Sequence, residues 1–337
     1  MRKKYVALLI VGLSLSLLIY FIFIRNRVID NGGVSTIKIA GHTSQFGAPV
    51  KIAESKGLFA KHGLNASVRL VESSRESMAA MEAGDFDVVM GTLAAGNLNT
   101  VHKGDLVILA DAGRALPIII VRKDLWDGAK IKQLTDLKGK TVVTPREGSA
   151  SSYALARVLQ GVNLKSEDII SKFLSDREAL AALESKQIDA AVLSEPDATN
   201  AIVKGIGVKI PSEEIQKYFP PNGQQYMVIY TRRKTLTEKA DTLRRFLAAY
   251  MEAVGIYSQA RNGKQPERDE VVTVISQFTG GSKEVVDRTT WQYVAQDGKP
   301  DTDFIRQMQD FFVRQKLVDS PVDLSTVVHL ELLTTSK

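Results

Sequence analysis

Two segments of the chain carry one pattern. Met78-Ala79-Ala80-Met81-Glu82 passes through a turn into Phe86-Asp87-Val88-Val89-Met90-Gly91-Thr92, and Leu180-Ala181-Ala182-Leu183-Glu184 passes through a turn into Ile188-Asp189-Ala190-Ala191-Val192-Leu193-Ser194. Each reads as an amphipathic helix, a tight turn, an apolar strand with a leading Asp, and a small hydroxyl residue at the strand's end. A repeated β/α unit implies two similar lobes. Two α/β lobes enclose a cleft lined by loops at the carboxyl ends of their strands. Such a chain is built to close on something small.

At 337 residues there is room for two domains and a targeting segment. The absence of cysteine excludes disulfides, iron–sulfur ligation, thiol catalysis, Cys-based zinc sites and a lipid-modified N-terminal Cys. The net charge of +6 points towards nucleic acid until its location is considered. Arg2, Lys3, Lys4, Arg25 and Arg27 flank the apolar N-terminus, and without these five the 44 basic residues become 39 against 38 acidic ones. A nearly neutral body does not suit phosphate-backbone binding, so no nucleic-acid partner is expected.

Tyr5 to Ile24 is an uncharged apolar run. A hydrocarbon core of about 30 Å takes about 20 helical residues, so the run can span a membrane. It ends in Arg25-Asn26-Arg27, whereas a small-x-small cleavage site would be needed for removal; Ser14-Leu15-Ser16 lies in mid-run. The reading is an uncleaved signal anchor over 1–33 with its linker, with a cleaved form, soluble in the periplasm, as the alternative. Arg2, Lys3 and Lys4 outweigh Arg25 and Arg27, which puts the N-terminus inside and the body outside the cell.

Along the body, strands and helices alternate as in a largely parallel sheet. A strand over Thr36–Gly41 leads through His42–Gly47 to a helix opened by Ala48-Pro49. Strands follow at Ala66–Val71, to Met90, at Leu106–Ala110 and at Pro117–Val121, with helices between them. The pattern restarts at Thr141–Thr144, with helices near 151–159 and 177–185 and a strand to Ser194. Gln225–Thr231 is a further strand, and long helices are expected at Glu238–Ala260, Arg268–Phe278 and Asp303–Gln315. The simplest topology places lobe one at 34–121 plus 231–337 and inserts lobe two at 122–230, with hinge strands near Val121 and Tyr230.

With these elements in place, the chain resembles a type II solute-binding protein of an ABC importer, in the branch handling nitrate, alkanesulfonates, taurine and thiamine-precursor pyrimidines. The residues that carry the likeness are Gly57-Leu58-Phe59 with Lys61 and Gly63-Leu64, the Gly84-Asp85-Phe86-Asp87 turn, Asp136–Val142 before a Gly-Ser loop, and Asp189 with Glu195-Pro196. The resemblance implies an α/β fold of two lobes joined by two hinge crossings. It also implies an ABC permease and its ATPase subunit as partners, and a monomer that hands over a small-molecule solute.

Candidate ligand contacts fall in matching loops. Gly148, Ser149, Ala150 and Ser151 open a helix where free N–H groups and the macrodipole favour an anion; the same geometry serves an ordinary N-cap. His42, Thr43, Gln45 and Phe46 occupy the corresponding loop of lobe one, as hydrogen-bonding groups and an apolar wall. Thr92 and Ser194 end equivalent strands. Glu195 can meet a ligand ammonium or cap the helix after Pro196. Arg114, and Arg146 opposite, can clamp a sulfonate or carboxylate. Trp291 and Tyr293 read as core residues between C-terminal helices. Asp87 and Asp189 sit at strand beginnings and suggest a turn role.

The four histidines have no metal spacing, and no nucleotide fingerprint or nucleophile elbow is present, so neither metal nor cofactor is assigned. The expectation is a binder without turnover. A pyrimidine-synthase-like enzyme using His42, a thiamine-precursor binder and a membrane-anchored sensor are the alternatives.

Overall fold

The computed structural model describes residues 33–333. The expected anchor over Tyr5–Ile24 lies outside the described residues. Among the described residues no helix is long and apolar enough to cross a membrane.

The strands are β1 Ser35–His42, β2 Leu64–Val71, β3 Val88–Thr92, β4 Leu106–Ala115, β5 Ile118–Arg122, β6 Thr141–Thr144, β7 Ile170–Phe173, β8 Ala190–Leu193, β9 Gly207–Lys209 and β10 Gln224–Arg232. The longer helices are α1 Ala48–Ser55, α2 Ser74–Ala83, α3 Ala95–His102, α4 Ala150–Gly161, α5 Asp176–Glu184, α6 Asp197–Val203, α7 Ala240–Arg261, α8 Glu267–Thr279 and α9 Thr302–Arg314. They build two five-stranded sheets, in the orders β2-β1-β3-β10-β4 and β7-β6-β8-β5-β9. Position by position the orders match, with β6 in the place of β1, β7 of β2 and β8 of β3.

β1 runs parallel to β3, and β6 parallel to β7 and β8. The sheets are not parallel throughout. β10 lies antiparallel between β3 and β4, and β5 antiparallel between β8 and β9. Each antiparallel strand is the one laid down just after the chain changes sheets, so each sheet receives one reversed strand. The first change is at Leu116-Pro117, earlier than the expected hinge near Val121, because Ile118–Val121 already pairs with β8. The return comes before Gln224 and not near Tyr230, which sits within β10, paired with Val89 and Ile108.

Central strands are buried on both faces, which is why they read as unbroken apolar runs: Val88, Val89 and Leu106 to Ala110 have no exposed surface. β7 is exposed along its length and β9 has three residues, so neither shows a period in sequence. α7 packs across α1 and carries ten buried residues, among them Phe246 and Tyr250. The repeated aspartates tie each sheet together. Asp87 Oδ2 accepts from the Lys38 N–H of β1 (3.0 Å), and Asp189 Oδ2 from the Thr141 N–H of β6 (2.9 Å). This cross-strand bond, more than a turn, is why Asp recurs there.

Candidate functional site

Loops at the ends of β1, β3, β6 and β8 meet between the sheets. Ala95 N–H donates to Gly148 O (2.9 Å) and Gln45 N–H to Glu195 O (3.5 Å), each bond joining the two halves. Gln224 Nε2 adds a bond to Ala150 O (3.0 Å). Gly148 has φ +66°, and a Cβ there would stand 3.0 Å from the Ala95 Cβ, so only glycine allows this approach without strain.

Beside the Gln45–Glu195 contact lies a cavity of about 180 Å³. That is below the roughly 300–1,000 Å³ of drug-sized pockets and suits a small solute. Gln45 and Phe46 line it from the first half, Ser194 and Glu195 from the second, and Leu116-Pro117 from the crossing. Tyr226, Trp291 and Tyr293 supply aromatic surface, with the Phe46 and Tyr226 rings 5.7 Å apart. Trp291 also stacks on Tyr257, so it belongs both to the core and to the cavity wall.

Cations outnumber anions on this wall. Arg114, Lys209 and Arg261 line the cavity with Glu195 as the one carboxylate. Glu195 is already engaged: its oxygens accept from Thr199 N–H (3.0 Å), Thr199 Oγ1 (3.0 Å) and Thr290 N–H (3.1 Å). It caps α6 and bridges to the C-terminal segment. Burial pushes its pKa up, and the Thr290 and Thr199 bonds work against that. Arg114 is also held, by Asp111 at 3.5 Å and Lys299 O at 2.5 Å, which aligns its guanidinium in advance but leaves fewer donors for a clamp.

Gln45 is 2 % exposed, and among the described residues neither Nε2 nor Oε1 of its amide has a partner. Its backbone is fixed at both ends, by Glu195 O and by Gln292 Nε2 donating to its carbonyl (2.8 Å).

Other expected residues sit close by without lining the cavity. His42 Nδ1 accepts from Ser44 N–H (3.1 Å), and burial pushes its pKa down to about 4, so the ring is neutral. Thr43 is partly buried next to it. Thr92 is held through its backbone, its N–H on Ser74 Oγ (3.1 Å). Ser149 caps α4, accepting from Ser152 N–H (3.0 Å), while Ala150 and Ser151 are buried behind it. Ser151 and Gln224 lie against the Tyr226 hydroxyl, whose pKa burial raises above its ordinary value.

Asp176 escaped sequence reasoning. It is the first residue of α5, its Oδ2 accepts from Ser194 N–H (3.0 Å), and burial pushes its pKa up to about 6, with Asp197 and Glu72 adding to the rise. The signal was available: Ser74 holds the equivalent place in the first repeat.

Residues 33–276 match the NMT1-like family. A Brucella abortus protein named as a binding protein is 23% identical over 286 residues, covering 81% of this chain and 83% of that protein. A Brachyspira hyodysenteriae protein named as an ABC transporter periplasmic binding protein is 25% identical over 238 residues, covering 66% of each. Among solved structures, the alkanesulfonate-binding protein SsuA of Xanthomonas axonopodis pv. citri superposes with a TM-score of 0.72 at 18% identity, covering 88% of this chain and 99% of that one. These relatives are named as binding proteins and not as enzymes, in line with the expectation of a binder without turnover. On its matched length and its two-sheet architecture, the chain belongs to the NMT1-like family and has the α/β fold of periplasmic binding proteins.

Proposed function

We propose that this chain is the extracytoplasmic solute-binding component of an ABC importer. It captures a small anionic or zwitterionic solute, of the sulfonate, taurine or nitrate type, between two lobes and delivers it to the permease. The observation that carries the reading is the interlobe cavity, whose wall bears Arg114, Lys209 and Arg261 against a single carboxylate that is already hydrogen-bonded. The names of the Brachyspira relative and of SsuA support it. In this reading lobe motion occurs about Leu116-Pro117 and the segment before Gln224, and the N-terminal apolar run holds the body at the outer face of the membrane.

A thermal-shift panel of alkanesulfonates, taurine, nitrate, pyrimidines and dicarboxylates tests it. A ligand at 100 times its Kd adds about 2.7 kcal/mol to the native state, enough for a clear rise in Tm. Stabilisation by an anion or zwitterion, with the solute recovered unchanged, is the expected result. A panel in which only uncharged compounds stabilise, or in which the solute is converted, overturns the reading.

A further inference from the structure

A second cavity, of about 230 Å³, opens beside the Ala95–Gly148 hydrogen bond. Its walls come from both halves of the molecule: Arg75 and Glu82 of α2, the start of α3 around Asn97, and Arg146 and Glu147 from the loop after β6. Neither arginine has a hydrogen bond or ion pair among the described residues, and the two glutamates on the wall pair with neither. Burial first, then the nearby Arg75 charge, push the Arg146 pKa below its ordinary value.

Arg75 belongs to the first half and Arg146 to the second, so their repulsion arises when the halves come together. Arg75 is exposed and Arg146 half-buried, and like charges brought close raise the free energy of the arrangement that holds them, the more so where one is shielded from water. An anion between two planar guanidiniums reverses the sign, and an oxyanion offers each fork two acceptors. We infer that Arg75 and Arg146 form an anion site separate from the solute cavity, that it takes a small oxyanion such as sulfate or phosphate, and that its occupancy favours closure. By linkage, an anion that binds the closed form more tightly shifts the population towards it.

Sodium sulfate is the probe, titrated into the full-length chain against sodium chloride at matched ionic strength. The parent shows a saturable rise in Tm on top of the gradual stabilisation that sulfate gives most proteins, and small-angle scattering shows a smaller radius of gyration. Arg75→Gln and Arg146→Gln each weaken the apparent sulfate affinity about tenfold or more, as expected for lost charge-assisted bonds. The double variant keeps only the gradual component, and in chloride it melts no lower than the parent. In the parent, sulfate also slows phenylglyoxal modification of both arginines, read by mass spectrometry, so the test survives a variant that does not fold. A saturable response of equal size in the double variant, or no protection of the arginines, removes the site. Saturable binding with an unchanged radius removes its link to closure.

Discussion

Thr92 ends β3 and Ser194 follows the equivalent β8, and each donates its backbone N–H to the first residue of the preceding helix, 18 positions back. In the first repeat the acceptor is the Ser74 hydroxyl at 3.1 Å; in the second it is the Asp176 carboxylate at 3.0 Å. One bond, in one place, is made once by a neutral group and once by an acid. The first repeat shows that a hydroxyl suffices to tie strand to helix. The charge on Asp176 is therefore surplus to that task, and burial makes it unfavourable. It lies behind Ser194, which lines the cavity between the sheets, and its charge reaches Tyr226 on the same wall. The two sheets share a scaffold, and the second carries the additional charge.

The largest effects should come where both repeats use the same acid. Asp87 is almost fully buried and pairs with Lys239 (2.8 Å) as well as Lys38 N–H. Asp189 is more exposed, and its Arg122 partner is 3.6 Å away. Asp87→Ala should cost about 3 kcal/mol and Asp189→Ala about 1–2 kcal/mol, since removing a buried, charge-assisted acceptor is the costlier loss. Urea unfolding of the two variants checks the order. Equal losses would mean that the cross-strand N–H bond, and not burial, sets the scale.

The repeat was legible because helix and strand periods survive in sequence wherever one face or both faces are buried. The same pattern placed Gln45, Phe46, Ser194 and Glu195 at loop positions that the fold brings together. Arg114 stands out in the sequence just before β5, but its hold by Asp111 and Lys299 does not, since Lys299 comes from a distant segment. Lys209, Tyr226 and Arg261 reach the cavity from three further elements, and no local spacing links them. The change of sheet is hidden in the sequence for a related reason: β4 and β5 are separated by Leu116-Pro117 alone, and only pairing partners show that they lie in different sheets.

Asp176→Asn separates the charge from the hydrogen bond. The amide oxygen can still accept from Ser194 N–H, and only the charge is lost. A carboxyl whose folded pKa is raised to about 6 binds a proton more readily folded than unfolded. The parent's stability therefore falls as pH rises from about 4 to about 6, and the full penalty persists above that window. The variant carries no such penalty. It should be more stable than the parent by about 2 kcal/mol at pH 7, allowing for partial exposure, with the difference gone near pH 3.5. Unfolding at both pH values checks this. A variant no more stable than the parent at pH 7 would show that the fold itself satisfies the charge, and the contrast with Ser74 would lose its meaning.

The smallest contrast lies at the helix caps just before these residues. Ser73 accepts from Glu76 N–H and Ser175 from Glu178 N–H, both at 3.4 Å. Only the second closes into a reciprocal box, with Glu178 Oε2 accepting from Ser175 N–H at 2.8 Å and from its hydroxyl at 2.8 Å. Ser73→Ala should cost about 1 kcal/mol, the usual loss for an N-cap, and Ser175→Ala a few tenths more. Their pH behaviour separates them further. The Ser175 backbone and hydroxyl hold the Glu178 pKa below its ordinary value, so this stabilisation is present above the unfolded pKa and fades as pH falls through the folded one. The cost of Ser175→Ala should thus shrink on acidification, while that of Ser73→Ala, whose cap uses no carboxylate, should stay level. Melting curves at pH 7 and pH 3 read both. Parallel curves for the two variants would mean that the box adds nothing to the simple cap, and that the repeats are equivalent here after all.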